Sequence, residues 1–387
     1  MDIQKRILDE LSELESRAEL RQLQMVHGID FSSNDYLGLA TEPRMKQATA
    51  EGLEYAARIA STGSRLLSGQ SDNWTSVEQN FAKWVGTEAA LYFTSGYAAN
   101  VGLLSSLLRA EDVVFSDSAN HASLIDGIRL SKCKRVIFPH LDLEFLEREL
   151  QRNTSATGAR VIVVESIFSM EGDRAPLADL AHLAEMYGAQ VIVDEAHAIG
   201  VRGPSGSGLV AEAGLSERVL ATVHTCGKAL ASAGAFVCGS NNLRTFLINR
   251  ARTFIFNTAM PPYFASQVSA GIKLAKDADA ARSRLVQLSG FLRCELRENG
   301  FYIAGVQSQI VPIVLGLNHT AVQYADFLCA RGFGVRAIRP PTVPEGKARL
   351  RISVTAKHSE DILAEFVFAL VQARNEYSTS RAASISQ

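Results

Sequence analysis

Cysteine is sparse in this chain and forms no pattern. The five cysteines, Cys133, Cys226, Cys238, Cys294 and Cys329, are odd in number and never stand as CxxC. That argues against a disulfide framework and a zinc site, and predicts reduced, mostly buried thiols in a cytosolic protein. Long apolar runs are lacking as well. None reaches the roughly 18 residues that a membrane span needs, and no apolar signal core follows Met1-Asp2-Ile3-Gln4-Lys5-Arg6. The expected location is cytoplasmic, with no membrane partner. An excess of one charge is missing too. Lys+Arg number 39 against 41 Asp+Glu, a net charge of −2, so no basic footprint of a nucleic-acid binder is present. Glycine, at 28 residues, is too infrequent for a collagen-like or linker-like chain, and there is no internal repeat or low-complexity tract.

What remains is ample material for a core. Hydrophobic residues make up 47% of 387 residues. At roughly 150 residues per domain that length suits two or three units. Over residues 2–24, charge alternates with Ile7, Leu8, Leu11, Leu14, Leu20 and Leu23, and the spacing predicts an amphipathic helical arm. Further on, helical stretches alternate with short runs that are apolar on both faces: 90–93, 113–115, 136–138, 161–164, 191–193, 220–223 and 235–237. Such runs suit strands of a mainly parallel sheet covered by helices on both sides, an α/β fold. After about 275 the rhythm changes. A long charged helix over 275–299, strands near 310–315 and 349–354, and a closing helix to about Glu376 predict a smaller α+β domain, with Tyr377–Gln387 frayed. The expected division is a helical arm at 1–42, a large α/β domain at 43–275 and a C-terminal domain at 276–387.

The segment richest in chemistry is Val191-Ile192-Val193-Asp194-Glu195-Ala196-His197. A buried strand there ends in a carboxylate, at the edge where open α/β sheets place ligands. A nucleotide triphosphatase with a D-E-A-H motif would need a phosphate loop. The two Gly-Lys pairs, Gly227-Lys228 and Gly346-Lys347, lack the following Ser/Thr and the correctly spaced first Gly. Taken alone, Asp194 and His197 could simply cap a loop. They are not alone. Lys228 follows the next apolar run, between Thr225-Cys226-Gly227 and Ala229-Leu230-Ala231-Ser232-Ala233-Gly234, which are small and nearly uncharged. A lysine in such surroundings loses hydration, its pKa falls, and its amine can form a Schiff base. A strand-end carboxylate together with such a lysine is the set expected for pyridoxal phosphate. A phosphate site is also available where the strand Leu91-Tyr92-Phe93 runs through Thr94-Ser95-Gly96 into a helix, whose first N–H groups can hold an anion. His121, in Asn120-His121-Ala122-Ser123, stands at another loop-to-helix start, where an imidazole could stack on a flat ring.

Eight segments taken together carry a resemblance. They are S-N-D-Y-L-G-L (33–39), T-S-G-Y-A-A-N (94–100), N-H-A-S-L (120–124), S-I-F-S-M-E-G-D (166–173), V-D-E-A-H-A-I-G (193–200), T-C-G-K (225–228), N-T-A-M-P-P (257–262) and R-P-P-T-V-P-E-G-K-A-R-L-R (339–351). In order and spacing, over nearly the whole chain, they resemble the α-oxoamine synthases. These are fold-type I pyridoxal-phosphate transferases, homodimers that join an amino acid to an acyl thioester with loss of CO2. The resemblance implies Lys228 as the Schiff-base lysine and proton-transfer base, Asp194 at the pyridine nitrogen, His197 at the ring's phenolic oxygen and His121 stacked over the ring. It implies Gly96, Tyr97 and Thr225 at the phosphate, with Thr258 reaching in from a partner subunit, and Ser169 also at the cofactor. It implies Arg351 as a fork for the amino-acid carboxylate, with Arg21, Asn34, His121 and Thr342 also at the substrate. Arg349 and Arg351 share a face of one strand, so only the resemblance chooses between them.

Within the family, the stretch Ile338-Arg339-Pro340-Pro341-Thr342-Val343-Pro344 resembles the members that serve biotin biosynthesis. They use L-alanine and a pimeloyl thioester, on CoA or on a carrier protein. Glycine with acetyl-CoA is the alternative inside the family. A catalytically silent supporting subunit is the alternative outside it, and Lys228 argues against that. Two places depart from the family pattern: the loop Ala60-Ser61-Thr62-Gly63-Ser64-Arg65 has fewer glycines, and Trp74 stands where relatives often have His.

Overall fold

The structure is a computed structural model that describes residues 2–154, 157–303 and 308–385, with side chains up to residue 377. All seven apolar runs form strands of one sheet. In spatial order the strands are Ala89–Phe93, Ala235–Gly239, Ala221–Thr225, Gln190–Asp194, Arg160–Glu165, Val113–Asp117 and Lys134–Phe138. The last five, from Ala221–Thr225 to Lys134–Phe138, are parallel to one another, while Ala235–Gly239 is antiparallel to both strands beside it, Ala89–Phe93 and Ala221–Thr225. The central members read as unbroken apolar runs because both faces are covered. Val161, Ile162, Val163, Val191, Ile192 and Val193 are all at most 2% exposed. Each such side chain contributes about 1.5–3 kcal/mol by leaving water.

The chain divides into two compact units. One comprises 35–169 and 173–283 and contains the seven-stranded sheet. The other comprises 1–34, 170–172 and 284–387. Its three-stranded antiparallel sheet has the order Ala337–Ile338, Ala348–Ser353, Ile310–Gly316. Residues 1–34 thus group with the C-terminal residues instead of standing apart as an arm. The reason lies at their end: Ile29–Asp30 pairs in parallel with Phe333–Gly334, and Phe31 is stacked between His358 and Phe366, each ring centroid 4.5 Å away.

Several sequence expectations need adjusting. The first helix covers only Ile3–Ser16, with Asp2 as its cap, and Arg17–Gly28 is not helical. The long charged helix is two helices, Phe264–Lys276 and Asp279–Glu298. The break is sealed by Arg282, whose guanidinium donates back to the carbonyls of Ala275 and Lys276 that end the first helix. The closing helix runs on from Glu360 to Ile385, so the stretch expected to fray is helical as far as described, and 386–387 lie outside the described residues. Cysteine burial is lower than expected. Cys226 and Cys238 are buried, Cys133 and Cys329 are half-buried and Cys294 is exposed, all as free thiols. Among the described residues no helix is long and apolar enough to cross a membrane.

Candidate active site

In the unit that holds the seven-stranded sheet, the C-terminal ends of neighbouring strands carry the expected groups. Asp194 closes its strand at 4% exposure. Its Oδ1 accepts the Ala196 N–H at 2.9 Å, and its Oδ2 accepts Nδ2–H of Asn100 at 2.7 Å. On the next parallel strand Glu165 is the register partner of Asp194 and is also buried. Burial and, next, the nearby Asp194 charge push the Glu165 carboxyl up to about 8, against weaker opposition from Lys228. Two carboxylates side by side in a dry site cannot both ionise cheaply, so Glu165 is the one that keeps its proton.

Lys228 sits in the hairpin between the antiparallel strands Ala221–Thr225 and Ala235–Gly239. This hairpin is closed by Cys226 N–H to Gly234 O at 2.8 Å and Ser232 N–H to Cys226 O at 2.9 Å. Gly234 is required there. Its φ is +84°, and a Cβ would stand 2.0 Å from the Tyr92 hydroxyl. Lys228 Nζ lies 3.0 Å from Nε2 of His197, and Nδ1 of the same ring lies 2.7 Å from the Tyr36 hydroxyl. With Lys228 as an ammonium, Nζ can only donate, so Nε2 accepts and Nδ1–H is directed at Tyr36 Oη.

The strand Ala89–Phe93 runs through Thr94 and Ser95 into a helix, the segment expected at the phosphate. Ser95 caps the helix Gly96–Leu107, its Oγ accepting the Ala98 N–H at 3.0 Å, a bond of the kind worth about 1 kcal/mol. Gly96 opens that helix. A Cβ there would stand 2.5 Å from Thr225 Cγ2, so the two residues face each other at close range. Thr225 Oγ1 donates to Ala196 O at 3.4 Å. The Tyr97 side chain instead points to Asp126, which accepts from its hydroxyl, and the residue is 48% exposed, so a contribution at a phosphate would come from its backbone N–H. Thr258 is exposed, next to Asn257, whose Nδ2 donates to Thr94 Oγ1 at 2.6 Å.

His121 is the N-cap of the helix Ala122–Ser131, and its Nδ1 accepts the Ser123 N–H at 3.2 Å. Desolvation lowers its pKa, Lys228 acts in the same direction, and Asp194 opposes both. Ser169 is buried, and its N–H donates to Glu165 Oε2 at 3.1 Å. A primary amine, a buried carboxylate, two imidazoles and a capped helix start with a glycine are the donor set that pyridoxal phosphate requires, and the residues present fit it.

Of the residues expected at the substrate, His121 lies in this unit, and Arg21, Asn34, Thr342 and Arg351 lie in the other. Arg351, 7% exposed, donates from Nη1 to Asn34 Oδ1 at 3.1 Å and to Ser353 Oγ at 2.8 Å. Its neighbour on the same strand face, Arg349, is paired with the Glu171 carboxylate at 2.9 Å. Arg21 donates from Nη2 to Pro340 O at 2.9 Å and reaches Thr342 Oγ1 at 3.5 Å. So Arg351 meets Asn34, and Arg21 meets Thr342.

Of the two departures, Trp74 lies inside the helix Asp72–Val85, is 1% exposed and stacks on Tyr92 with centroids 4.3 Å apart. In the altered loop Arg65 pairs with Glu78, which also pairs with Arg244 at 3.1 Å. Four residues here have no role in the sequence analysis: Tyr36, Asn100 and Ser123, which stand in the motif segments without one, and Glu165, which lies outside them. Asn100 was the most legible, an amide in an otherwise apolar helix that must find a buried partner.

Comparison with known proteins shows the family. The family description "Aminotransferase class I and II" matches residues 26–370. The 8-amino-7-oxononanoate synthase of Geobacter sulfurreducens is 40% identical over 385 residues, covering 96% of this chain and 98% of that protein. The synthase of the same name from Lysinibacillus sphaericus is 42% identical over 329 residues, 85% and 84% of the two chains. Among solved structures, the serine palmitoyltransferase of Sphingomonas wittichii is 27% identical with a TM-score of 0.90, covering 98% of this chain and 100% of that one. The 8-amino-7-oxononanoate synthase of Francisella tularensis is 29% identical with a TM-score of 0.78, covering 90% and 99%.

Proposed function

This chain belongs to the class I and II aminotransferase family, among its α-oxoamine synthases, and we propose that it condenses L-alanine with a pimeloyl thioester to give 8-amino-7-oxononanoate for biotin. In the net reaction a carbon–carbon bond forms between the alanine Cα and the acyl carbon, the thiol leaves, and the alanine carboxylate departs as CO2. The observation that carries the substrate assignment is the 40% identity, nearly end to end, with a synthase of that name.

Pyridoxal phosphate, when bound, supplies a protonated pyridine ring that delocalises the electron pair left at Cα. The rest is the work of this chain. Asp194 is the carboxylate we assign to the pyridine nitrogen. Its burial and its bonds from Asn100 and Ala196 support that role, because they hold a fixed negative charge in a dry site. Lys228 is the group we assign to the Cα proton, its Nζ held beside His197 Nε2. Arg351 is assigned to the alanine carboxylate, and Arg21, Asn34 and Thr342 to substrate positioning. Gly96, Tyr97, Thr225 and Ser169 are assigned to the cofactor.

A homodimer, with Thr258 serving the partner's site, belongs to the same proposal. Support comes from large apolar side chains left in water on the sheet-bearing unit: Tyr55 at 83%, Ile59 at 74%, Leu67 at 84% and Phe256 at 72% exposed. The cytoplasm is the proposed location.

The test offers purified protein equal alanine and glycine, once with pimeloyl-CoA and once with acetyl-CoA, and identifies products by mass spectrometry. Alanine with pimeloyl-CoA should give the larger kcat/KM. One methyl in an apolar pocket is worth about 1–3 kcal/mol, so the amino-acid preference should be clear without being absolute. A larger kcat/KM for glycine with acetyl-CoA overturns the substrate assignment. Borohydride reduction should attach the cofactor to the peptide carrying Lys228, and attachment at another lysine overturns that role.

A further inference from the structure

Asp194 and His121 are joined by a continuous chain of hydrogen bonds through two residues that have no assigned part in the site. Asn100 is 1% exposed and Ser123 is fully buried. The Asn100 amide uses both its N–H groups: Nδ2 donates to Asp194 Oδ2 at 2.7 Å and to Ser123 Oγ at 2.9 Å. Ser123 Oγ lies 2.8 Å from His121 Nδ1. The proton directions are forced. An amide NH2 has no acceptor capacity, so Ser123 Oγ accepts from Asn100 and its own hydroxyl hydrogen remains to point at Nδ1. The Ser123 backbone N–H also points at Nδ1, at 3.2 Å.

We propose that Asn100 and Ser123 are positioning residues whose relay from Asp194 holds His121 as the neutral tautomer with Nδ1 accepting and Nε2 protonated. Two donors aimed at one ring nitrogen leave no place for a proton on it. The location adds to this, since His121 caps a helix N-terminus, whose partial positive charge disfavours imidazolium. The charged and titratable groups that face the ring are Asp194 from the strand Gln190–Asp194, Lys228 from the hairpin after Ala221–Thr225, and Glu165 from the strand Arg160–Glu165, whose carboxyl accepts the His121 backbone N–H. The imidazole thus presents a fixed N–H donor and stays uncharged through neutral pH. The same amide that orients Asp194 sets the far end of the relay, so the two groups on the cofactor's nitrogen and on its face are held by one bond chain. The inference rests on the assignment of Asp194 and His121 to the cofactor only for its consequence; the tautomer itself does not depend on it.

The test is a long-range proton–nitrogen correlation spectrum of the holoenzyme labelled with 15N-histidine, with the His121 signals identified by their loss in His121→Asn. The expected result is a bare Nδ1 and a protonated Nε2 that persist across neutral pH. In Ser123→Ala the hydroxyl donor is gone. The His121 pKa should then rise by roughly one unit, a tenfold change in proton affinity, and Asn100→Ala should move it in the same direction by less. Wild-type His121 protonated on Nδ1, or an unchanged His121 titration in folded Ser123→Ala, overturns the proposal. The wild-type spectrum alone decides the tautomer if a variant does not fold. A wrong substrate assignment would change the products of the alanine and pimeloyl-CoA assay and leave these signals as they are.

Discussion

The Tyr36 hydroxyl lies 2.7 Å from His197 Nδ1, on the side of the ring opposite the nitrogen that faces Lys228. Tyr36 is fully buried, so no water can take over its bond. Tyr36→Phe keeps the ring packing and removes the hydrogen bond. Loss of one buried hydrogen bond costs about 1–1.5 kcal/mol, which corresponds to roughly a tenfold fall in kcat if it is felt at Lys228. The check is kcat alongside the visible spectrum of the bound cofactor. A Tyr36→Phe enzyme with unchanged kcat and spectrum would show that His197 needs no support from this side.

Glu165 makes a prediction about stability. Its carboxyl is held up to about 8 in the folded chain, against an ordinary value of 4.5, chiefly by burial and next by Asp194. Between those two pH values the unfolded chain has released a proton that the folded chain still holds. Stability therefore falls as pH rises through that window. Glu195, pushed up to about 7 by burial, acts in the same sense. His224, pushed down to about 3 by burial, acts in the other sense on the acid side, where stability falls as pH drops below about 6.5. Glu165→Gln should flatten the decline of Tm between pH 5 and pH 8 relative to the parent while leaving the acid limb alone. Parallel Tm curves for the two proteins would show that Glu165 is ionised in the folded state.

The sheet was legible in the sequence because its strands are buried on both faces. Runs such as Val161–Val164 and Val191–Val193 have no competing periodicity, and the structure extends them by only a residue or two. The helix boundaries were less legible. Nothing local marks the break at Asp277-Ala278; it depends on Arg282 reaching back to two carbonyls, a tertiary arrangement. The same division applies to the site. Asp194, His197 and Lys228 can be read from one strand end and one small-residue loop. Asn100 acts through partners 94 and 23 residues away in the chain, and of the relay's links only Ser123 to His121 is local, so no spacing rule exposes it. The swap to Trp74 was visible as a departure, but its stacking on Tyr92 was not.

Glu78 offers a test of the altered loop. It is 2% exposed, pairs with both Arg65 and Arg244, and accepts the Tyr92 N–H at 2.9 Å. Removing one member of a buried ion pair leaves the partner charge uncompensated and typically costs about 3–5 kcal/mol. Glu78→Ala should therefore lower the free energy of unfolding by about that much, and Glu78→Gln, which keeps the shape and some hydrogen bonds, by less. Denaturant unfolding measures both. A Glu78→Ala protein within about 1 kcal/mol of the parent, the range of exposed pairs, would show that Arg65 and Arg244 are satisfied without it.

Gly96 and Thr225 test the phosphate site against each other. A Cβ on Gly96 would stand 2.5 Å from Thr225 Cγ2 and 3.7 Å from its Cβ. The clash is therefore with a single methyl group, and the methyl is what distinguishes Thr from Ser. Gly96→Ala should push the helix start and Thr225 apart, and cofactor affinity should fall by at least about tenfold, the equivalent of one hydrogen bond to a charged group. The backbone of Gly96 does not itself demand glycine, since no positive φ is found there. Thr225→Ser alone should cost little, because the hydroxyl remains. The double variant Gly96→Ala/Thr225→Ser should then recover most of the lost affinity, because the methyl that the new Cβ would strike is absent. Neighbouring sites of this kind are expected to be strongly non-additive. The measurement is cofactor titration followed by visible absorbance, with circular dichroism to show that each variant is folded. If the double variant binds no better than Gly96→Ala, the steric account is wrong, and Gly96 is needed for close approach of the phosphate itself. If Gly96→Ala binds as the parent does, the phosphate lies elsewhere.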